Sequence, residues 1–348
     1  MDGSFDSILT LRSPLTFRSR TRAAHRAAAL IASLALAATA VPATGADLME
    51  IEAKIPLGNV AGRIDHMAFD PAHRRLFVAE LGNDSVGVLD LSANKVVHRI
   101  SGLKNPQGVG YVPELGMLLV ASAGDGTVRL FRDPDFAPAG RVDLGEDADN
   151  IRVDPAAKRV YVGYGSGGLA LIDPAAARKT GEVALPAHPE SFQLDRKSKR
   201  IYVNLPDAHA IAVVDPDGKH VTRWPMRAGG ENFPMTLRED AQQVVVAFRR
   251  PARLGIFAMA DGAQIADSES CGDADDVFHD ARRGRVYVSC GDGYLDVFET
   301  QGWRRVAHVR TVAGARTALF VPEIDRLLLA VRASGREPAA IWVFRPGG

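Results

Sequence analysis

After residue 47 the chain alternates short apolar runs with turn residues, and the spacing of an amphipathic helix is almost absent. One class of run ends just before a turn: "HMAFDP" (66–71), "GVGYVP" (108–113), "NIRVDP" (150–155), "SFQLDR" (191–196), "PMTLRE" (234–239), "DVFHDA" (276–281) and "TALFVP" (317–322). Their starts are spaced by 42, 42, 41, 43, 42 and 41 residues. Within each period a turn such as "DPAAKR" leads to a second run ("VYVGY", "IYVNL", "VYVSC"). A Gly-, Asn- or Asp-containing turn leads to a third ("SVGVLDL", "LALIDP"), and most units close with a fourth ("GEVAL", "RVAHVRT"). Short β-branched and aromatic runs bounded by turn residues predict strands. Four antiparallel strands in about 42 residues predict a propeller blade, and seven copies predict a seven-bladed β-propeller.

The last unit ends at "IWVFRPGG" without a fourth strand, and "LMEIEAKIPL" (48–57) stands alone before the first unit. The N-terminal strand is therefore expected to complete the last blade and remove the open sheet edges. This single-domain reading of residues 47–348 replaces the two domains that length alone suggests. A torus of this size buries enough surface for a core without metal or disulfide.

Charge narrows the function. Lys plus Arg and Asp plus Glu are each 42, so the net charge is zero, and a nucleic-acid partner is not expected. Residues 1–46 read as an export signal: Arg18, Arg20, Arg22 and Arg26 precede the apolar "AAALIASLALAATAV" (27–41), with cleavage expected after Ala46 rather than Ala40. The mature chain is then expected in the periplasm or outside the cell, as a monomer with no membrane span. Cys271 and Cys290 fall in one blade, at the start of a first strand and the end of a second. Two outcomes stay open for them: an intra-blade disulfide, or two thiols too far apart to bridge. "GYGSGG" (163–168) is followed by a strand pattern, so it reads as a blade turn rather than a dinucleotide loop.

The second-strand motifs "RVYVGYG" (159–165), "RIYVNLPD" (200–207) and "RVYVSCGD" (285–292), with "LFVAELGNDSVGVLDL" (76–91), resemble the YVTN-repeat β-propellers exported by many bacteria. The likeness covers about residues 48–348, and the fourth letter of the motif varies. The resemblance implies a secreted binding or scaffold propeller whose partner is a small molecule or a protein.

The first strand of each blade lines the central channel, so aligned positions at its start should converge at one mouth. These are Asp65, Gln107, Asp149, Glu190, Phe233, Asp275 and Arg316, followed by His66, Gly108, Asn150, Ser191, Pro234, Asp276 and Thr317. The near-identical tetrapeptides Asp-Ala-Asp-Asn (147–150) and Asp-Ala-Asp-Asp (273–276) occupy equivalent blade positions. Architecture explains the repetition but not the acidity. Unscreened carboxylates about 8 Å apart repel by roughly 2 kcal/mol per pair at an effective dielectric near 20. Arg316 is expected to offset Asp275, Asp65 or both. Asp149 and Glu190 have no basic partner in the ring, so either their pKa values rise or a cation binds. Asp149, Asn150, Glu190 and Asp275 form the candidate metal set, suited to Ca²⁺ or Mg²⁺, with His66 widening the choice to Zn²⁺ or Mn²⁺. Asn204, Arg249, Arg250 and Arg332, in loops expected on the same face, are candidate ligand contacts.

Two functions compete on these residues. The first is a non-catalytic propeller binding a ligand or protein at the mouth. The second is a metal-dependent hydrolase, similar in site chemistry to propeller enzymes of the lactonase or phosphotriesterase kind, with His66 as candidate base.

Overall fold

A computed structural model describes residues 48–348 except Ala228 and Arg336. The expected export signal lies outside the described residues. The described residues form 28 strands in seven four-stranded antiparallel sheets.

Strand β1 (Met49–Pro56) leads into blade 1, β2–β5 (Met67–Asp70, Arg75–Glu80, Ser85–Asp90, Lys95–Ser101). Blade 2 is β6–β9 (Pro106–Val112, Met117–Ser122, Thr127–Arg132, Ala137–Asp143), and blade 3 is β10–β13 (Ala148–Asp154, Arg159–Tyr164, Gly168–Asp173, Arg178–Ala184). Blade 4 is β14–β17 (Phe192–Leu194, Ile201–Leu205, Ala210–Val214, Val221–Pro225), and blade 5 is β18–β21 (Gly230–Arg238, Gln243–Arg250, Ala252–Ala258, Gln264–Glu269). Blade 6 is β22–β25 (Ala274–Asp280, Arg285–Cys290, Tyr294–Glu299, Arg305–Arg310), and blade 7 is β26–β28 (Ala318–Val321, Arg326–Val331, Ala340–Pro346).

Blade 7 is completed by β1, which pairs antiparallel with β28 from Met49↔Pro346 to Pro56↔Ala340. The innermost strands contact one another in the closed order β2, β6, β10, β14, β18, β22, β26 and back to β2. The core follows that ring. Seven apolar clusters each join two neighbouring blades, such as Val112, Leu119 and Leu130 of blade 2 with Ile151, Val162 and Ile172 of blade 3. Middle strands are apolar on both faces because each blade is sandwiched between two others. Outer strands alternate and carry charge, which protects their free edges.

The run "GYGSGG" joins β11 to β12 as a hairpin turn, with Gly165 and Gly167 at positive φ. Cys271 and Cys290 are disulfide-bonded, with Cα atoms 5.8 Å apart. The bond fastens the loop before β22 to the end of β23. Among the described residues no helix is long and apolar enough to cross a membrane.

Candidate functional site at the channel mouth

The side chains at the mouth are set by an irregularity that recurs around the ring. The ladder between first and second strands slips between Pro106 and Val109, Ala148 and Ile151, Asn232 and Met235, and Ala274 and Asp276. In blades 1 and 4 two consecutive residues face one partner: Asp65 N–H donates to Ala79 O while Ala79 N–H donates to His66 O, and Glu190 and Ser191 share Asn204 in the same way. An extra residue in one strand bends it and re-aims side chains, a device common at barrel rims and functional sites. The predicted ring positions fall on these bulges. The first Asp of each acidic tetrapeptide has a separate duty. Asp147 and Asp273 have φ of 34° and 57°, a left-handed geometry that Asp tolerates better than most residues. Each carbonyl there accepts an equivalent bond, from Gly165 N–H and Gly291 N–H.

Asp65, His66, Asp149, Glu190, Asp275, Asp276 and Arg316 do meet around the axis. His66 Nε2 lies 3.8 Å from Asp65 Oδ1 and 3.8 Å from Asp149 Oδ1, linking blade 1 to blade 3. Burial pushes Asp65 up to about 6, with Asp149 and Asp275 adding repulsion and His66 and Arg63 opposing it. Burial also pushes Glu190 up to about 7, reinforced by Asp149 and Asp275, and Asp276 up to about 7, reinforced by Asp275. Asp276 Oδ2 accepts a 2.8 Å bond from Ala318 N–H. His66 is raised because the attraction of Asp65, Asp149 and Asp276 outweighs its burial. One buried carboxylate oxygen, Asp149 Oδ1, has no hydrogen-bond partner, while Asp65 Oδ2 is met by Arg63 Nη2 at 2.8 Å.

Arg316 pairs with Asp275 at 3.2 Å, as expected, and also with Asp273 at 2.7 Å, while Asp65 takes its 2.8 Å partner from Arg63, two residues upstream. Other expectations are corrected. Asp149 is not without cations: His188 Nε2 stands 4.0 Å from it. Burial lowers His188, but Asp149, the Gly165 carbonyl (2.6 Å from Nδ1), Glu190 and Asp147 outweigh that and push it up to about 9. The pattern did not reveal His188, because it lies outside the repeated strand positions. Arg152, two residues beyond Asn150 in β10, was missed because the repeat aligned only the strand entrance. It is drawn toward Asp276 and Asp149, although burial lowers its pKa overall.

The loop residues do not form a ligand clamp. Arg249 is 2.5 Å from Asp275 Oδ1 and stacks 3.8 Å over the Phe233 ring, so its charge is spent inside the acidic ring. Arg332 donates to Gly314 O at 2.9 Å, and Arg250 is exposed beside Glu231. Asn204 is fully buried, donating to Phe233 O and accepting from Asn232, so it holds blade 4 to blade 5. Gln107 reaches Asp147 at 3.4 Å, and Asn150 Oδ1 accepts from Arg152 at 3.4 Å.

The expected metal set is not drawn together as a cage. Among the described residues, three or more His, Cys, Asp or Glu ligand atoms cluster within 4.8 Å only at Cys271, Cys290 and Asp292, and at Asp70, His73 and Asp133. The first contains the disulfide, and Arg75 bridges Asp70 and Asp133 in the second. The unpartnered Asp149 Oδ1 suits a cation chemically, and the acids around His66, 3.8 Å away, favour its protonated form.

Blade-to-blade spacing at the mouth depends on Gly108. A Cβ there would lie 2.0 Å from Asp149 O and 3.0 Å from Ile151 Cγ1. Gly108→Ala is expected to destabilise the fold by about 2 kcal/mol, within the range for overpacking. Denaturant unfolding would measure the loss, and a change below a few tenths would show that the mouth yields.

No protein-family model matches the chain, and no characterised protein matches it by sequence. Among solved structures it is similar to a chain of Kuenenia stuttgartiensis hydrazine synthase, with a TM-score of 0.71 and 15% identity over 83% of this chain and 98% of that one. At that identity the likeness shows the fold alone, a seven-bladed β-propeller.

Proposed function

We propose that the chain is an exported binding propeller of the YVTN-repeat kind, whose channel mouth takes a small ligand that is positively charged or rich in hydrogen-bond donors. The observation that carries this reading is the buried Asp149 Oδ1, which has no hydrogen-bond partner and no cation closer than His66 Nε2 at 3.8 Å. A buried acceptor left unmade costs about 1–3 kcal/mol, and a donor-bearing ligand would relieve it. Charged donors make the stronger bonds. The mouth carries carboxylates on blades 1, 3, 4 and 6, so it favours cations over anions.

A hydrolase remains the second reading, favoured by one observation. Glu190 sits near 7 beside Asp149, the range in which a carboxylate can both take and release a proton. His66 is the poorer base, since Asp65, Asp149 and Asp276 outweigh its burial and favour its protonated form.

Thermal melts with alkylammonium, guanidinium and polyol compounds, and with Ca²⁺, Zn²⁺ or chelator, separate these readings. A ligand at about 100 times its Kd stabilises by about 2.7 kcal/mol. The binding reading expects an organic donor to raise the Tm by a few degrees in wild type and not in Asp149→Asn. No shift with any donor, or an equal shift in the variant, would sink it. A stoichiometric ion lost in Asp149→Ala and Glu190→Ala, with lactone or ester turnover, would favour the hydrolase.

A further inference from the structure

On the face opposite the mouth, the β10–β11 and β14–β15 turns border a cleft of about 590 Å³ between blades 3 and 4. Its walls mix apolar side chains (Val153, Leu194, Ile201) with four cations: Arg152, Arg159, Arg196 and Lys199. We propose that this cleft binds a small dianion, of the phosphate-ester or dicarboxylate class, with Arg152 as its anchor.

The charge on the lining is uneven because its acids are already engaged. Asp154 Oδ1 accepts from Ala157 N–H at 3.1 Å. Asp195 is buried, accepting from Lys197 N–H at 3.0 Å and from the Ser198 hydroxyl. Glu239 approaches from blade 5, where Oε1 lies 3.5 Å from Arg196 N. Asp215, next to Pro216 in the wall, is taken by Arg200 at 3.4 Å. Among the described residues the cleft's cations are in no direct ion pair.

Arg152 distinguishes the cleft from a patch of surface charge. It rises from the innermost strand and is enclosed by the blades, yet keeps access through the cleft. Its Nη1 donates to Ile151 O at 2.8 Å and to Asn150 Oδ1 at 3.4 Å, and its guanidinium lies 5.4 Å from the Phe192 ring. No carboxylate forms an ion pair with it, although Asp149 and Asp276 attract it through the channel, and its Nε and Nη2 donors have no hydrogen-bond partner among the described residues. A guanidinium held in one plane recognises phosphate and carboxylate in bidentate fashion. Arg196 and Lys199 stand exposed at the rim, where they would draw the anion in. Tyr161, half-buried between Arg152 and Arg159 in the lining, adds a hydroxyl.

The cleft opens away from the mouth but shares Arg152 with its electrostatic network, and the test keeps the two readings apart. Inorganic phosphate, succinate and chloride are titrated at matched ionic strength, read by calorimetry and by thermal melts. Phosphate and succinate are expected to bind and raise the Tm above the chloride control, and the tighter of them names the anionic group. The rim variant Arg196→Gln/Lys199→Gln, which leaves the core untouched, is expected to weaken Kd about tenfold or more, as is Arg152→Gln. Asp149→Asn at the mouth is expected to keep the binding. No difference between the dianions and chloride would overturn the proposal. So would equal affinity in the rim variant.

Discussion

A chain shortened to begin at Gly58 is expected to lose cooperative folding altogether. Residues 48–57 supply the closing strand of blade 7, and Leu48, Met49, Ile55 and Leu57 are all buried. Leu48 and Met49 join the cluster between blades 6 and 7, while Ile55 and Leu57 join the one between blades 7 and 1. At about 1.5–3 kcal/mol per large apolar side chain, their removal forfeits roughly 6–12 kcal/mol, close to the whole stability of a typical domain, about 5–15 kcal/mol. The truncation also strips the ladder from β28 and exposes its edge between two apolar faces. Far-UV circular dichroism of the shortened chain should show no sigmoidal melt, and the material should aggregate. Ile55→Ala, a milder lesion at the same seam, should still fold and lose about 2–5 kcal/mol. A shortened chain that melted like the intact one would mean that β1 does not close the ring.

The second large effect is on pH. Asp65, Glu190 and Asp276 are pushed up to about 6, 7 and 7, and His188 to about 9. Each folded-state pKa is above its unfolded value, so the native state binds the extra protons. The stability these groups contribute is fully present below their unfolded values and is lost as pH rises through the folded ones. The opposite group comprises Glu52, Asp70, Asp133, Glu182 and Asp325, all lowered, chiefly by hydrogen bonds to Arg or Lys, with His73 also serving Asp70. Their contribution is lost as pH falls below about 4. Stability should therefore peak near pH 4 to 5, fall from there as pH rises through 6 and 7, and be lower by on the order of 3 kcal/mol at pH 8, because the mouth groups titrate as a coupled set. Glu190→Gln and Asp276→Asn should flatten the alkaline side and leave the acid side unchanged. Denaturant unfolding across pH measures this, and a profile still rising from pH 6 to 8 would contradict it.

Much of the fold was legible because one constraint acts seven times. A blade must bury both faces of its middle strands, so "VYVGY" and "IYVNL" read as strands wherever they recur. The lone "LMEIEAKIPL" had only one place to pair. The ring positions were legible for the same reason, since repetition aligns residues that are far apart in sequence. Their partners were less so. Arg63 and His188 each lie two residues before a ring position, equivalent to Asp147 and Asp273, but in loops whose side-chain direction the strand pattern does not set. Arg316 was assigned a partner by ring order, but Asp273, on the left-handed turn before β22, comes closer. The loop arginines looked free because sequence does not show that Arg249 folds back over Phe233. The opposite cleft escaped notice because its cations come from a strand and from two turns that are ordinary elsewhere in the repeat.

A carboxyl NMR titration of Glu190, in wild type and in Asp149→Asn, tests most directly whether groups from separate blades share one buried mouth. The wild-type midpoint is expected near 7, and neutralising Asp149 on the neighbouring blade should lower it. A midpoint in the ordinary glutamate range that ignores the Asp149 substitution would mean that these side chains do not meet at the axis.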